Sequence, residues 1–378
     1  MKDYSTMTKK EIFVDYVKNG NRGRCICSPQ IGAGAGFDTK LAGKEWISDT
    51  TFEDTLNAAL RFDMVPLFNV GMIGFDSNEK LRWTYTNLDK TEAKRYYNRE
   101  LETPFGKMMV DTVEEKGSGG FNVKDAIEGE EDMDKLEWYV DQALETDFSQ
   151  AKEVFGSIAG QIAQRGALSV QWAMQPYEML CLPNTINTMF LAMDCEEQFY
   201  KIMDKILLLD MKMIDSLVGT GVDFLFLGGP AKEMISPRYF EDFLVPYSKK
   251  VTDYAHEKGF LIYSHVCSPV EPMLGMGYYN QMGIDLFETL SMPPVGNVVS
   301  LEDAFSKIDP QICTRGNLGL DVLLNSTPDE IKRKCYEIME VTMKHNRKHI
   351  LAASDYLFAQ TPVENITAMC DAVKEFYK

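Results

Sequence analysis

Beyond about residue 167 the chain alternates short apolar runs with longer amphipathic stretches. The runs have the length of buried strands, and the stretches between them repeat apolar positions at helical spacing. This alternation predicts a parallel sheet whose strands are joined by crossover helices. The predicted strands are Leu168–Trp172, Asp223–Leu227, Phe260–His265, Asp285–Leu290, Ile312–Asn317 and His349–Ser354, with helices around 196–217, 237–257, 301–308, 328–346 and 362–377.

The front half adds two strand candidates, Arg24–Ser28 and Met64–Phe68, each preceded by a helical segment. Eight strands of this kind predict an α/β fold, a closed (β/α)8 TIM barrel. An open doubly wound sheet is the alternative. The glycine-rich stretch 32–36 has the wrong spacing for a dinucleotide-binding fingerprint, so we interpret it as a loop at the barrel mouth.

Residues 70–135 do not fit the alternation. The segment Thr103–Val110, followed by a second glycine-rich stretch at 117–120, predicts an inserted hairpin region in the first half of the barrel. No internal repeat and no long linker divides the chain. We therefore expect one barrel domain over residues 1–378.

The composition of the chain argues against two classes of binding partner. The chain is 45% hydrophobic and 25% charged, with a formal charge of −18. An acidic surface repels nucleic acid and anionic membranes, so neither is an expected partner. The polar N-terminus, the lack of a membrane-length apolar run and the scattered cysteines predict a cytoplasmic protein.

Candidate chemistry lies at the ends of three of the last four predicted strands. His265 and Cys267 lie at the end of one strand. Glu288 lies near the end of the next strand, and Asp355 directly follows the final strand. Alternate residues of an extended segment point to one side, so His265 and Cys267 can converge. Barrel enzymes hold their catalytic groups at this carboxyl end, and these side chains predict a metal site there.

Each of these residues also has a plainer interpretation. A single histidine near a strand end is often structural, and a single cysteine is often a small buried hydrophobe. Tyr263, Trp172 and Asn317 would line a substrate pocket if the predicted strands are right. Otherwise they are buried side chains that contact no ligand.

Several segments resemble the uroporphyrinogen decarboxylase superfamily. They are Gly221-Val222-Asp223, Gly228-Gly229-Pro230 with Glu233, Ser236-Pro237, Phe240, Phe243, Pro246-Tyr247, Gly316-Asn317-Leu318 and 361–365. The resemblance extends over nearly the whole chain and implies a (β/α)8 barrel, in agreement with the strand count.

One branch of this superfamily contains the zinc-dependent methyltransferases that exchange a methyl group with a corrinoid protein, such as methylcobalamin:coenzyme M methyltransferase. There a His-x-Cys after the fifth strand binds zinc, which His265 and Cys267 match. The resemblance implies that His265, Cys267 and Glu288 are catalytic and that zinc is bound by them with Asp355. It also implies a partner protein carrying the corrinoid, methylcobalamin, and a small-molecule methyl donor or acceptor.

Asp355 departs from this branch, which has a cysteine at the corresponding position. A carboxylate makes a zinc site harder than a second thiolate does. A harder site favours an oxygen or nitrogen on the methyl donor, so we expect demethylation of a methyl ether or methylamine rather than methylation of a thiol.

Two other functions remain open on the same fold. The first is a metal-free decarboxylase or lyase, although the arginines that such enzymes place after the first strand are absent from 29–32, and Arg22 and Arg24 precede that position. The second is a non-catalytic barrel that binds a ligand without turnover. The retention of His265, Cys267 and Glu288 together argues against it.

Overall fold

The computed structural model describes residues 4–20, 23–75, 77–171, 179–228 and 235–377. Its strands are β1 Leu67–Gly71, β2 Thr84–Lys90, β3 Lys94–Thr103, β4 Gly106–Glu115, β5 Gly120–Lys124, β6 Ala167–Gln171, β7 Phe224–Gly228, β8 Leu261–His265, β9 Leu286–Thr289, β10 Cys313–Leu318 and β11 His349–Ala353. Its helices are α1 Lys9–Asn19, α2 Phe37–Leu41, α3 Phe52–Leu60, α4 Met133–Leu144, α5 Ala151–Ile162, α6 Thr185–Asp194, α7 Glu196–Leu217, α8 Pro237–Tyr239, α9 Val245–Glu257, α10 Leu301–Lys307, α11 Leu320–Asn325, α12 Pro328–Lys344 and α13 Val363–Phe376.

Seven parallel strands form one curved sheet in the order β1-β6-β7-β8-β9-β10-β11. The predicted first strand is an extended segment that closes it. Ser28 donates its amide hydrogen to the Leu351 carbonyl of β11 (2.9 Å), and Val65, just before β1, donates to the Cys27 carbonyl (2.9 Å). The predicted (β/α)8 barrel is therefore confirmed, with its first strand reduced to a single bridge, Cys27 to Leu351.

The insertion is a second, antiparallel sheet in the order β2-β3-β4-β5. Its central hairpin turns between Thr103 and Gly106, which are paired across β3 and β4. This is the hairpin that the sequence predicts, extended by one strand on either side.

The predicted helix 237–257 is interrupted. Residues Phe240–Leu244 form a π-helical segment between α8 and α9. Pro246 has no amide hydrogen to donate to the preceding turn, so a regular α-helical ladder cannot continue through it. The remaining predicted helices and strands agree with the structure to within a few residues.

The barrel interior changes from apolar to polar along its axis. Side chains two residues apart on a strand point to the same side, so each strand contributes successive levels to the interior. The level at the amino end is apolar and packs against one face of α1, which covers that end. The residues of this cluster include Phe13, Tyr16, Val17, Ile26, Leu67, Ala167, Phe224, Leu261, Leu286, Cys313 and Ile350.

The levels toward the carboxyl end carry polar side chains instead. They include Asn69, Ser169, Gln171, Tyr263, His265, Glu288 and Arg315, at two or four positions beyond apolar residues of the same strands. Burying polar groups is unfavourable unless they are paired, so these side chains must make specific contacts with one another at the carboxyl end.

His349, at the start of β11, is buried near the amino end of the barrel. Its Nδ1 lies 2.8 Å from the Thr314 hydroxyl, and its Nε2 lies 3.0 Å from the Gly316 carbonyl oxygen. A neutral ring satisfies both contacts, accepting from the hydroxyl and donating to the carbonyl. Burial lowers the pKa of His349 to about 3.

The burial of His349 predicts that the folded protein loses stability in acid. Its pKa is about 6.5 in an unfolded chain, so below that pH the unfolded chain binds a proton that the native protein does not. The free energy of unfolding therefore falls as the pH is lowered from about 6.5 toward 3, by about 2 kcal/mol at pH 5 from this group. Urea denaturation should show that the free energy of unfolding changes less between pH 7 and pH 5 in His349→Gln than in the wild-type protein. His345→Gln, which changes an exposed histidine, should retain the wild-type dependence, and identical behaviour of the two variants would contradict the assignment.

Candidate metal centre

Three potential metal ligands converge at the carboxyl end of the barrel. His265 ends β8, Cys267 follows two residues later, and Asp355 follows β11. Each contributes one ligand atom, and these atoms all lie within 4.8 Å of one another. The His265 Nε2 atom is 3.2 Å from the Asp355 Oδ1 atom. All three residues are partly exposed, so the cluster is accessible from the barrel mouth.

Glu288 lies behind His265 rather than within this cluster. Its side chain is fully buried, and its Oε1 atom is 2.7 Å from the His265 Nδ1 atom. Its Oε2 atom is 3.0 Å from the Arg315 Nη1 atom. Both carboxylate oxygens are therefore in contact with protein groups. Its role as a metal ligand stays a prediction, and these contacts favour a role in orienting His265.

Arg315 is a member of the site that the sequence analysis missed. It occupies an inward position of β10, its side chain is 1% exposed, and its Nε donates to the Ser28 carbonyl oxygen at 2.8 Å. The signal in the sequence was a guanidinium within a strand that was predicted to be buried. A buried arginine requires an anionic partner, and Glu288 is that partner.

Tyr356 is a second residue that the sequence analysis missed. Its ring lies 5.2 Å from the His265 ring, measured between centroids. Its hydroxyl accepts a hydrogen bond from Asn69 (2.6 Å) and lies 3.5 Å from the Gln171 amide nitrogen. It also lies 3.0 Å from the Tyr263 hydroxyl. Because Tyr356 directly follows Asp355, these contacts hold the third candidate ligand in place.

The structure describes two of the three predicted substrate-binding residues. Tyr263 is fully buried beneath Tyr356, and Asn317 is buried with its amide 3.4 Å from the Leu290 carbonyl oxygen. Trp172 lies outside the described residues. The roles of all three in substrate binding stay predictions.

The electrostatics of the site follow from its burial and its carboxylates. Burial by itself lowers the pKa of His265, but hydrogen bonds with Asp355, Cys267 and Glu288 outweigh it and hold the pKa well above its ordinary value. Burial raises the pKa of Tyr356 and of Tyr263. Both hydroxyls therefore remain neutral hydrogen-bonding groups at physiological pH.

Comparison with known families identifies the chain. The family described as "Uroporphyrinogen decarboxylase (URO-D)" matches residues 115–376, a segment that contains β6 to β11 and every candidate ligand. The chain belongs to the uroporphyrinogen decarboxylase family. The resemblance inferred from the sequence is thereby confirmed at the level of the family.

A solved structure shares the fold of this family member, and two others are similar to it at lower scores. A methyltransferase from Methanosarcina mazei matches with a TM-score of 0.67 and 16% sequence identity, covering 98% of this chain and 100% of that one. A 3-keto-D-glucoside 4-epimerase from E. coli has a TM-score of 0.36 and 10% identity, over 67% of this chain and 97% of that one. A D-psicose 3-epimerase from Clostridium cellulolyticum H10 has a TM-score of 0.35 and 10% identity, over 64% and 91%.

No curated protein sequence matches the chain. In the part of the chain that the structure describes, none of the helices combines the length and the apolar character that crossing a bilayer requires.

Proposed function

We propose that this protein is a zinc-dependent methyltransferase, which moves a methyl group between a small molecule and the cobalt of a corrinoid held by a partner protein. The observation that carries the proposal is the convergence of His265, Cys267 and Asp355 at the carboxyl end of the barrel. The corrinoid partner rests on the resemblance to the methyltransferase branch of the family.

The residues fit a catalytic zinc site. Zinc accepts histidine nitrogen, cysteine sulfur and carboxylate oxygen, and catalytic sites combine three protein ligands with one open position. Metal-binding histidines commonly direct their second ring nitrogen toward a carboxylate, which fixes the orientation of the ring. Glu288 contacts the His265 Nδ1 atom in this way, leaving Nε2 on the side of Asp355. When bound, zinc supplies a Lewis acid that polarises the group carrying the methyl.

The protein's own groups then have distinct tasks. His265, Cys267 and Asp355 would hold the metal, and Glu288 would orient His265. Arg315 neutralises Glu288 inside the barrel and fixes its position. Tyr356 anchors the loop that carries Asp355, and its ring excludes water from one side of His265.

Asp355 supports one direction of transfer. A ligand set with one sulfur, one nitrogen and one oxygen is harder than a set with two thiolates, and it favours oxygen or nitrogen donors. We therefore propose demethylation of a methyl ether or methylamine, with the corrinoid as acceptor.

Metal removal tests the proposal. The enzyme would be assayed with cob(I)alamin as acceptor and with methylated amines and aryl methyl ethers as donors. Chelation is expected to abolish methyl transfer, and added Zn²⁺ is expected to restore it. Elemental analysis must show that the chelated protein is free of metal. If that protein kept full activity, the mechanism would be excluded and metal-free chemistry in the same pocket would be favoured. Binding of a donor without turnover in the zinc-loaded protein would favour a non-catalytic barrel.

A further inference from the structure

Helix α6 has an apolar face that is turned toward solvent. Its buried residues are Thr188 and Leu191. On the opposite face, Ile186, Phe190 and Met193 are 49%, 57% and 77% exposed. The spacing of these three residues places them on one side of a helix with 3.6 residues per turn. A surface helix normally turns such a stripe toward the core, so an exposed stripe indicates a surface that a partner covers.

This face lies at the mouth end of the barrel. Helix α6 follows β6 and precedes α7, the crossover helix that leads to β7. Crossover helices of a barrel begin at the carboxyl ends of the strands, so α6 lies at that end. The segment before α6 also contacts the insertion, since Ile127 donates its amide hydrogen to the Leu182 carbonyl oxygen (3.2 Å). The exposed stripe and the candidate metal centre are therefore at the same end of the barrel.

Carboxylates surround the stripe. Phe190 lines a cavity of about 720 Å³ whose acidic lining residues are Glu128, Glu130, Glu131 and Asp194. An adjoining depression shares Asp194 and adds Glu196 and Glu197. All six residues are exposed. Lys201, which also lines the depression, pairs with Glu137. Within the described ranges none of the six carboxylates forms an ion pair, so the surface around the stripe is negative.

The charge of this surface favours one kind of occupant. A second copy of the chain is disfavoured, because a two-fold contact sets the same carboxylates against each other and the chain as a whole carries −18. An anionic membrane is repelled for the same reason. A protein segment whose apolar side chains are flanked by lysine or arginine complements both the stripe and the carboxylates.

We infer that this surface, the α6 patch, docks a basic, apolar segment of the protein that carries the corrinoid. The α6 patch comprises Ile186, Phe190, Met193 and the six surrounding carboxylates. The inference rests on the proposed function and assigns the docking surface for its partner. That partner has to bring cobalt to a methyl group at the metal centre, so it approaches the end of the barrel where α6 lies. The stripe supplies most of the affinity, and the carboxylates supply orientation and rate of association.

Synthetic peptides test the recognition directly. The probe is an amphipathic helical peptide of leucine and lysine, and its control has glutamate in place of lysine. Fluorescence anisotropy should show that the lysine peptide binds the wild-type protein about tenfold more tightly or better. Phe190→Ser/Met193→Ser should weaken the lysine peptide by about tenfold or more, because two apolar contacts are lost. Leu208→Ser/Val218→Ser, which removes exposed apolar side chains from the distant part of α7, should bind like the wild type.

A second pair of variants tests the carboxylates and guards against misfolding of the first. Glu130→Gln/Glu131→Gln should weaken the lysine peptide by about threefold at low salt and reduce the effect of added salt. Glu257→Gln/Glu340→Gln makes the same change of charge at exposed positions near the ends of α9 and α12, and it should not alter binding. Circular dichroism verifies the fold of each variant. Wild-type affinity in both patch variants would overturn the inference.

Methyl transfer to two acceptors tests the identity of the occupant. Free cob(I)alamin requires no docking, so Phe190→Ser/Met193→Ser should keep the wild-type rate with it. The second acceptor is cob(I)alamin bound to a corrinoid protein that the wild-type enzyme methylates. With this acceptor KM should rise by about tenfold or more while kcat is unchanged, and the lysine peptide should compete with the corrinoid protein.

Failure of this inference is distinguishable from failure of the proposed function. If the zinc-loaded wild-type protein transferred no methyl group to free cob(I)alamin, the proposed function would be refuted. A normal rate to free cob(I)alamin, with KM for the corrinoid protein unchanged in Phe190→Ser/Met193→Ser, would refute the inference alone. Sedimentation velocity addresses a second copy of the chain. A wild-type dimer that this variant dissociates would show that the patch joins two copies, and the inference would be overturned.

Discussion

Replacement of both His265 and Cys267 by alanine is expected to abolish zinc binding and to lower methyl transfer by about a thousandfold or more. Two of three protein ligands are removed, and Asp355 alone cannot hold zinc with useful affinity. A single preorganised electrostatic group contributes a factor of about 10²–10³ to an enzymatic rate, and the expected loss lies at the upper end of this range. Elemental analysis should find about one zinc per wild-type chain and none in the variant.

The control replaces an exposed histidine and an exposed cysteine elsewhere. His345→Ala/Cys181→Ala changes the same residue types at exposed positions. It should retain both zinc and activity. Zinc retained in the His265→Ala/Cys267→Ala variant at wild-type stoichiometry would place the metal at another site and remove the basis of the proposed mechanism.

Replacement of Arg315 by methionine is expected to destabilise the protein by about 3–5 kcal/mol, because it leaves the Glu288 charge buried without its partner. Glu288 has no exposed surface to which it could turn, since its side chain is 0% exposed. The double variant Arg315→Met/Glu288→Gln should recover part of the loss, because the remaining group is then neutral. Urea denaturation of the four proteins in this cycle measures the coupling between the two residues.

An ion pair on the surface serves as the control for the double-mutant cycle of Arg315 and Glu288. Arg238 pairs with Asp242 at 3.0 Å, but its side chain is 90% exposed. Arg238→Met should leave the free energy of unfolding essentially unchanged, because exposed pairs are screened by water. If Arg315→Met were as mild as Arg238→Met, Glu288 would not depend on Arg315, and the orienting role given to the pair would be wrong.

The sequence by itself predicted the barrel and placed His265, Cys267 and Asp355 at its carboxyl end. Buried parallel strands appear as short apolar runs between amphipathic helices, so their order and approximate bounds can be read from local pattern. The spacing of His265 and Cys267 fixes their common side because alternate residues of an extended segment share one face. The same rule places Glu288 at the carboxyl end.

Only the tertiary structure decided what these residues contact. Whether Glu288 faces the mouth or His265 depends on the register between β8, β9 and β10, and this register brings Arg315 beside it. The contacts of Tyr356 with Asn69 link residues 287 positions apart in sequence. Local patterns fix which face a side chain occupies, but packing of distant segments decides what that side chain contacts.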